Sequence, residues 1–264
     1  MALKQHKDEG VRYDQQVENS RDYVLPFIEQ TKPLAPGTKV LEIGCGEGGV
    51  LVPFVEKGCY CVGVDLDKIR IDIANDFLSK YVGEGKMKFM YKNVYDEDFL
   101  QEYRNHFDVI ILKDTIEHIP GQETFIPYLK NLVKPGGQVF FGFPPWHMPF
   151  GGHQQVCEHK LPSILPYYHI LPRAIYKALL KLMGENERTV ITLLEVYDTR
   201  ISIERFEKII RKSGFKVKNK THFLFNPIYK YKFGVEARKQ WGPITKIPFL
   251  RNFVTTCVYY TVGL

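Results

Sequence analysis

Val40-Leu41-Glu42-Ile43-Gly44-Cys45-Gly46-Glu47-Gly48-Gly49 runs an apolar strand straight into a glycine-rich turn that opens a helix. Glycines let the backbone come close to a ligand, and the free N–H groups of a helix N-terminus favour negative charge, so the turn suits a nucleotide-like molecule. Gly44, Gly46 and Gly49 also satisfy the dinucleotide pattern G-x-G-x-x-G. On this stretch alone a nicotinamide enzyme stays open.

The surroundings separate the two. Glu42 precedes the turn, Gly63-Val64-Asp65 ends the next predicted strand, and Phe107-Asp108-Val109-Ile110-Ile111-Leu112 is a later apolar strand. Together with Glu42-Ile43-Gly44-Cys45-Gly46-Glu47-Gly48 these segments resemble, in order and spacing, the motifs of class I S-adenosylmethionine-dependent methyltransferases over residues 37–143. The resemblance implies an α/β fold: a Rossmann-like, seven-stranded, mostly parallel sheet with an antiparallel seventh strand, helices on both faces and a lid insertion after strand five. It also implies cofactor contacts from Glu42, Gly44, Cys45, Gly46, Asp65, Leu66, Asn93, Val94 and Lys113. Asp65 can accept both ribose hydroxyls through its two carboxylate oxygens. Its bland alternative, a helix N-cap, is filled better by Asp67. Asn93 stands where the family often has an acid that contacts adenine, and Asp96 is the nearest carboxylate. Lys113 matches a position that acts through its backbone carbonyl, and Arg21 reads as a surface residue.

Composition narrows the class. The 264 residues, 44% hydrophobic and with charges of both signs, suffice for a single enlarged domain. We expect one methyltransferase domain over 1–264, with a cofactor-binding core at 37–143, a lid or substrate insertion at 144–200 and a second insertion at 226–250. No apolar run reaches the roughly eighteen residues a membrane span needs. The charged start Met1–Gly10 lacks the apolar core of a signal peptide, so a cytoplasmic protein is expected. The five cysteines include no C-x-x-C pair and read as free thiols. A net charge of +6 reads as solvated surface, with nucleic acid an improbable partner and peripheral membrane contact open.

Periodicity predicts the elements. A helix over 20–32 with Tyr23, Phe27 and Ile28 inward leads to strands at 39–43, 60–65, 87–91, 109–112 and 138–143. Between them lie a helix with Leu51, Phe54 and Val55 on one face, one with Ile69, Ile73 and Phe77, and one with Phe125, Leu129, Leu132 and Val133. After the lid, a helix from Pro172 is expected to bury Ile175, Leu179 and Leu182. Ser202 caps another, and strands follow at 215–221 and 254–262.

Methyl transfer from a sulfonium is an in-line displacement, so the protein must align the acceptor, exclude water and take a proton from a hydroxyl nucleophile. Asp114, Glu117 and His118 would share one face of a helical turn. The segment is similar to an acidic-x-x-Glu-His element of methyltransferases that use Mg²⁺ or Zn²⁺, but the reading adopted is metal-free, with His118 a candidate base. The other candidate is His153, in Pro144-Pro145-Trp146-His147-Met148-Pro149-Phe150-Gly151-Gly152-His153, with Trp146, Met148 and Phe150 as an apolar wall and a ring suited to taking a proton near neutrality. His147, His159, Glu158 and Tyr13 are weaker choices. Asn226 to Gly234 interleaves aromatics with lysines, read as packing against the lid.

These readings converge on a transferase that methylates oxygen on a small-molecule, sugar or lipid-like acceptor. An RNA ribose methyltransferase and a non-catalytic cofactor-binding partner protein are the alternatives.

Overall fold

A computed structural model describes residues 8–264. The seven residues before them, on which most of the charged start falls, lie outside the described residues. Eight strands form one sheet: β1 Lys39–Ile43, β2 Tyr60–Asp65, β3 Met87–Tyr91, β4 Phe107–Lys113, β5 Val133–Phe143, β6 Lys216–Phe225, β7 Arg238–Lys239 and β8 Cys257–Gly263. Their order is β3-β2-β1-β4-β5-β8-β6-β7. The first five run parallel, and β8 is antiparallel to both β5 and β6. The order reverses between β1 and β4, where the two strands' connections leave in opposite directions and open a crevice at their carboxyl ends. The eighth strand, one more than expected, is the two-residue β7 inside the second insertion. It pairs with β6 at the sheet edge.

Central strands read as unbroken apolar runs because helices cover both faces. Val109 to Leu112 are fully buried, and one core layer joins Leu41, Ile110, Phe141 and Tyr260 while another joins Val40, Val109, Phe140 and Tyr259. β5 begins earlier than expected, running back through Pro135-Gly136-Gly137 to Val133 across a register shift opposite Phe107 and Val109.

Several helices differ from expectation. The first starts at Glu9, runs to Asn19 and continues through a widened turn at Ser20–Val24 into Leu25–Glu29. Its early half buries Gln15, Val17 and Asn19, a mostly polar stripe without the apolar rhythm that announces a helix. The helix Lys68–Phe77, capped by Asp67, buries Ile71 and Ala74 and leaves Ile69 and Phe77 exposed. The helix Arg173–Leu182 buries Tyr176 and Leu180, with Leu182 83% exposed. In both cases an alternative apolar stripe packs and the predicted one faces outward. Lid residues build a satellite core in which Trp146, Tyr168, Tyr176, Leu193 and Tyr197 meet. No helix among the described residues is long and apolar enough to cross a membrane.

Candidate functional site

Two adjoining cavities lie at the carboxyl ends of β1, β2 and β4. The larger, about 460 Å³, is lined by Gly44, Asp65, Leu66, Asn93, Val94, Thr115 and His118, with Ile43, Val64, Ile119 and Phe125 among its apolar walls. The smaller, about 160 Å³, is lined by Gln16, Asn19, Glu42, Gly44, Cys45, Gly46 and Lys113. Gly44, Arg70 and Asp114 border both.

The turn after β1 takes this shape because its glycines adopt conformations that side chains resist. Gly44 has φ +72°, and a Cβ there would come within 2.6 Å of Thr115 Cγ2. Gly46, at φ +52°, donates its N–H to Asp65 Oδ2 at 2.8 Å. Asp65 Oδ1 accepts from Asp67 N at 2.9 Å. Each carboxylate oxygen therefore has one backbone donor and a lone pair left for a ligand. Asp67 does the capping, accepting from Ile69 N at 3.0 Å, so Asp65 is spared that task.

Asn93 and Val94 line the larger cavity. Asp96 turns away and accepts the Asn93 N–H at 3.1 Å. Glu42 is buried with Oε2 unpartnered, and burial followed by the charge of Asp65 raises its carboxyl well above the ordinary range. Lys113 is also buried; burial lowers its ammonium, but the ion pair with Asp114 outweighs this and holds it charged. All five cysteines are free and buried.

The expected helical face of Asp114, Glu117 and His118 does not form. Asp114 has φ +53°, the helical stretch is only the tight turn Ile116–His118, and the Asp114 carboxylate goes to Lys113. Glu117 and His118 meet His153 from the lid instead. Ligating atoms of these three lie within 4.8 Å of one another, and the two imidazoles stack edge to face with centroids 4.8 Å apart. Glu117 is 3% exposed, and neither of its oxygens has a hydrogen-bond partner. Burial, then Asp114, pushes its carboxyl well up. Desolvation in the cleft lowers His118 although its edge is exposed, and desolvation followed by the neighbouring His118 ring brings His153 down to about 3. Both rings are therefore neutral near pH 7. His153 is not tuned to take a proton near neutrality, because its concave site disfavours the imidazolium.

The expected apolar wall also differs. Trp146 packs on His169 and Tyr197 in the satellite core, and the walls of the larger cavity come from the sheet and from Phe125. His159 and Glu158 brace the lid through Glu185 and Asn186. His147 lies against the Phe253 ring, and Tyr13 against Phe77. Arg21 pairs with Glu18 and Glu56 on the surface.

Gln16, Asn19 and Arg70 escaped the sequence reading. The first two sit on the polar stripe of the first helix, three residues apart, and that spacing is the signal that could have found them. Nothing in the sequence marks Arg70. The second insertion packs on this same helix rather than on the lid: Tyr231 donates to Asp22 at 2.6 Å, and Gln15 donates to the Tyr231 carbonyl at 3.4 Å. Lys232, from the short helix Tyr229–Phe233, is lowered by burial against the pull of Asp114.

A family model described as a methyltransferase domain matches residues 13–166. The chain belongs to this family. It is a class I methyltransferase by motif order and by fold. Among curated relatives, the ubiquinone biosynthesis O-methyltransferase of Aromatoleum aromaticum is 31% identical over 117 residues, covering 44% of this chain and 48% of that protein. That of Acinetobacter baylyi is 25% identical over 207 residues, covering 78% and 75%. In most of these matches the chain spans about half the length of the curated relative. A geranyl diphosphate methyltransferase solved with S-adenosylmethionine superposes with a TM-score of 0.60 at 12% identity, covering 97% of this chain and 91% of the other, which supports the fold.

Proposed function

We propose that this methyltransferase moves the methyl group of S-adenosylmethionine to a hydroxyl oxygen on a small acceptor. The observation that carries the cofactor assignment is the Asp65 carboxylate, which lines the larger cavity and is clamped by the backbone N–H groups of Gly46 and Asp67, one on each oxygen. Asp65 would hold the ribose, while Asn93, Val94 and Leu66 surround the adenine. Glu42, the 44–46 backbone, Lys113, Gln16 and Asn19 would surround the methionine part. The cofactor supplies an activated methyl on a sulfonium. The chain's residues would orient it, exclude water with the lid, and receive the acceptor beside Asp114 and His118.

O-methylation is supported by the curated relatives, which are named as O-methyltransferases. The walls Ile43, Val64, Ile119 and Phe125 belong to the cavity assigned to the adenosine and would pack against its ring. Incubating the protein with methyl-labelled cofactor and, separately, hydroxylated aromatic compounds and RNA tests this reading. Label in the aromatic fraction supports it; label in RNA alone, or cofactor binding without transfer to any acceptor, overturns it.

The unpartnered Glu117 favours a second reading of the catalytic group. A buried carboxylate beside two neutral imidazoles fits a divalent cation, because burial without a partner is costly and imidazole nitrogen with carboxylate oxygen suits Zn²⁺ or Mn²⁺. Glu117, His118 and His153 would hold it, and it would supply Lewis acidity at the acceptor oxygen. The balance thus moves away from a metal-free His153 base, since a ring held near 3 is a weak base at neutral pH.

A further inference from the structure

The second insertion ends in Trp241-Gly-Pro-Ile-Thr-Lys-Ile-Pro-Phe-Leu250, the most exposed apolar stretch of the C-terminal part. Trp241 is 68% and Phe249 70% exposed, and Ile247 and Leu250 are also open to solvent. Phe249 adopts φ +63°, ψ −54°, and Leu250 N donates across it to Pro248 O at 2.8 Å. This is a γ-turn with positive φ, a strained conformation for an aromatic residue. A rigid base imposes it. Glu204 accepts from Phe249 N at 3.1 Å and from Arg251 Nε at 2.8 Å, and Asn252 beneath is buried and also donates to Glu204.

A backbone strained so as to raise a phenyl ring into water gains nothing from folding alone. Its surroundings indicate what the ring meets. Arg238, Lys239 and Lys246 are exposed in the same stretch of chain, and no Asp or Glu follows Glu236 in the sequence. Exposed tryptophan and phenylalanine interleaved in sequence with exposed basic residues match the boundary between acyl chains and anionic headgroups. We infer that residues 238–250 dock this enzyme on the surface of an anionic lipid bilayer, with Phe249 and Trp241 inserted and Arg238, Lys239 and Lys246 on the headgroups. A single raised ring on a narrow turn suits insertion between lipids better than the broad flat contact of a second copy. The docking segment also reaches the lid: Phe253 lies against the His147 ring, and Tyr167 donates to its carbonyl at 3.0 Å.

The test uses the whole chain and its two tryptophans. Trp146 is 4% exposed, so a change in emission on adding vesicles reports Trp241. Vesicles of phosphatidylcholine with roughly one third phosphatidylglycerol are expected to shift the emission to the blue and sediment the protein, with much weaker effects for phosphatidylcholine alone. Phe249→Gly relieves the positive φ, so it should raise the melting temperature while weakening vesicle binding roughly tenfold. No blue shift with anionic vesicles, equal binding to neutral ones, or unaltered binding by Phe249→Gly overturns the proposal. So does a blue shift that appears without lipid as the protein self-associates.

Discussion

The His118 and His153 rings meet edge to face at 4.8 Å, one from the turn after β4 and the other from the lid, beside a Glu117 carboxylate that no donor satisfies. The contact joins residues 144–200 to the turn after β4 beside the larger cavity, which His118 lines. It also defines the most direct experiment on the catalytic group.

Glu117→Gln removes the carboxyl group and keeps the shape. We expect melting temperature unchanged or raised and methyl transfer abolished. Calorimetric titration of EDTA-treated protein should show Mn²⁺ or Zn²⁺ binding that Glu117→Gln and His153→Ala both lose, with activity restored by the ion. Full activity after chelation would return the role to a metal-free His153.

Asp65→Ala takes away both acceptors for the ribose hydroxyls. Hydrogen bonds to a charged group are worth about 1.5–3 kcal/mol, so cofactor affinity should fall roughly 10- to 150-fold by isothermal calorimetry. A loss of less than threefold would mean that the sugar lies elsewhere.

Gly44→Ala places a Cβ 2.6 Å from Thr115 Cγ2 at φ +72°. Backbone strain alone costs about 1–3 kcal/mol, and the collision adds to it. Adding Thr115→Ala should recover the collision part and leave the backbone part, so urea unfolding of the four proteins should show coupling above about 0.5 kcal/mol. Strictly additive effects would mean that the loop yields to the methyl group.

His169 responds to pH through the lid. Its ring bridges Gln154 Nε2 and the Trp146 carbonyl, each at 2.8 Å, an arrangement the neutral tautomer satisfies completely. Burial, and then His147, lower it from 6.5 to about 4. The unfolded chain therefore binds the proton first as pH falls, and stability declines from about pH 6.5 down to pH 4, by at most about 3 kcal/mol for this group. In His169→Gln the slope of unfolding free energy against pH should flatten by nearly one proton over that window. An unchanged slope would assign the acid sensitivity to other histidines.

Much of the core was readable because its determinants are local. A strand buried on both faces announces itself as Val109-Ile110-Ile111-Leu112, and only glycine serves at Gly44 and Gly46, so β1, the loop and Asp65 follow from a few dozen residues. The first helix stayed hidden for the opposite reason. Gln16 and Asn19 line the smaller cavity and Gln15 bonds the Tyr231 carbonyl, so apolar periodicity is absent from this face of the helix. Helices with two apolar stripes were misread for a further reason: Ile69, Ile73 and Phe77 are as regular as Ile71, Ala74 and Leu78, and only the neighbouring element selects which stripe packs.

The sequence by itself determined the parallel sheet, the glycine loop and the carboxylate at the end of β2, since each depends on backbone geometry or burial within a short stretch. Tertiary structure alone decided that Glu117 and His118 join His153 rather than Asp114, and that Phe249 is held out in a strained turn by Glu204. These are contacts between segments far apart in the chain. They depend on how residues 144–200 and 226–250 pack against the rest of the chain, which no local pattern encodes.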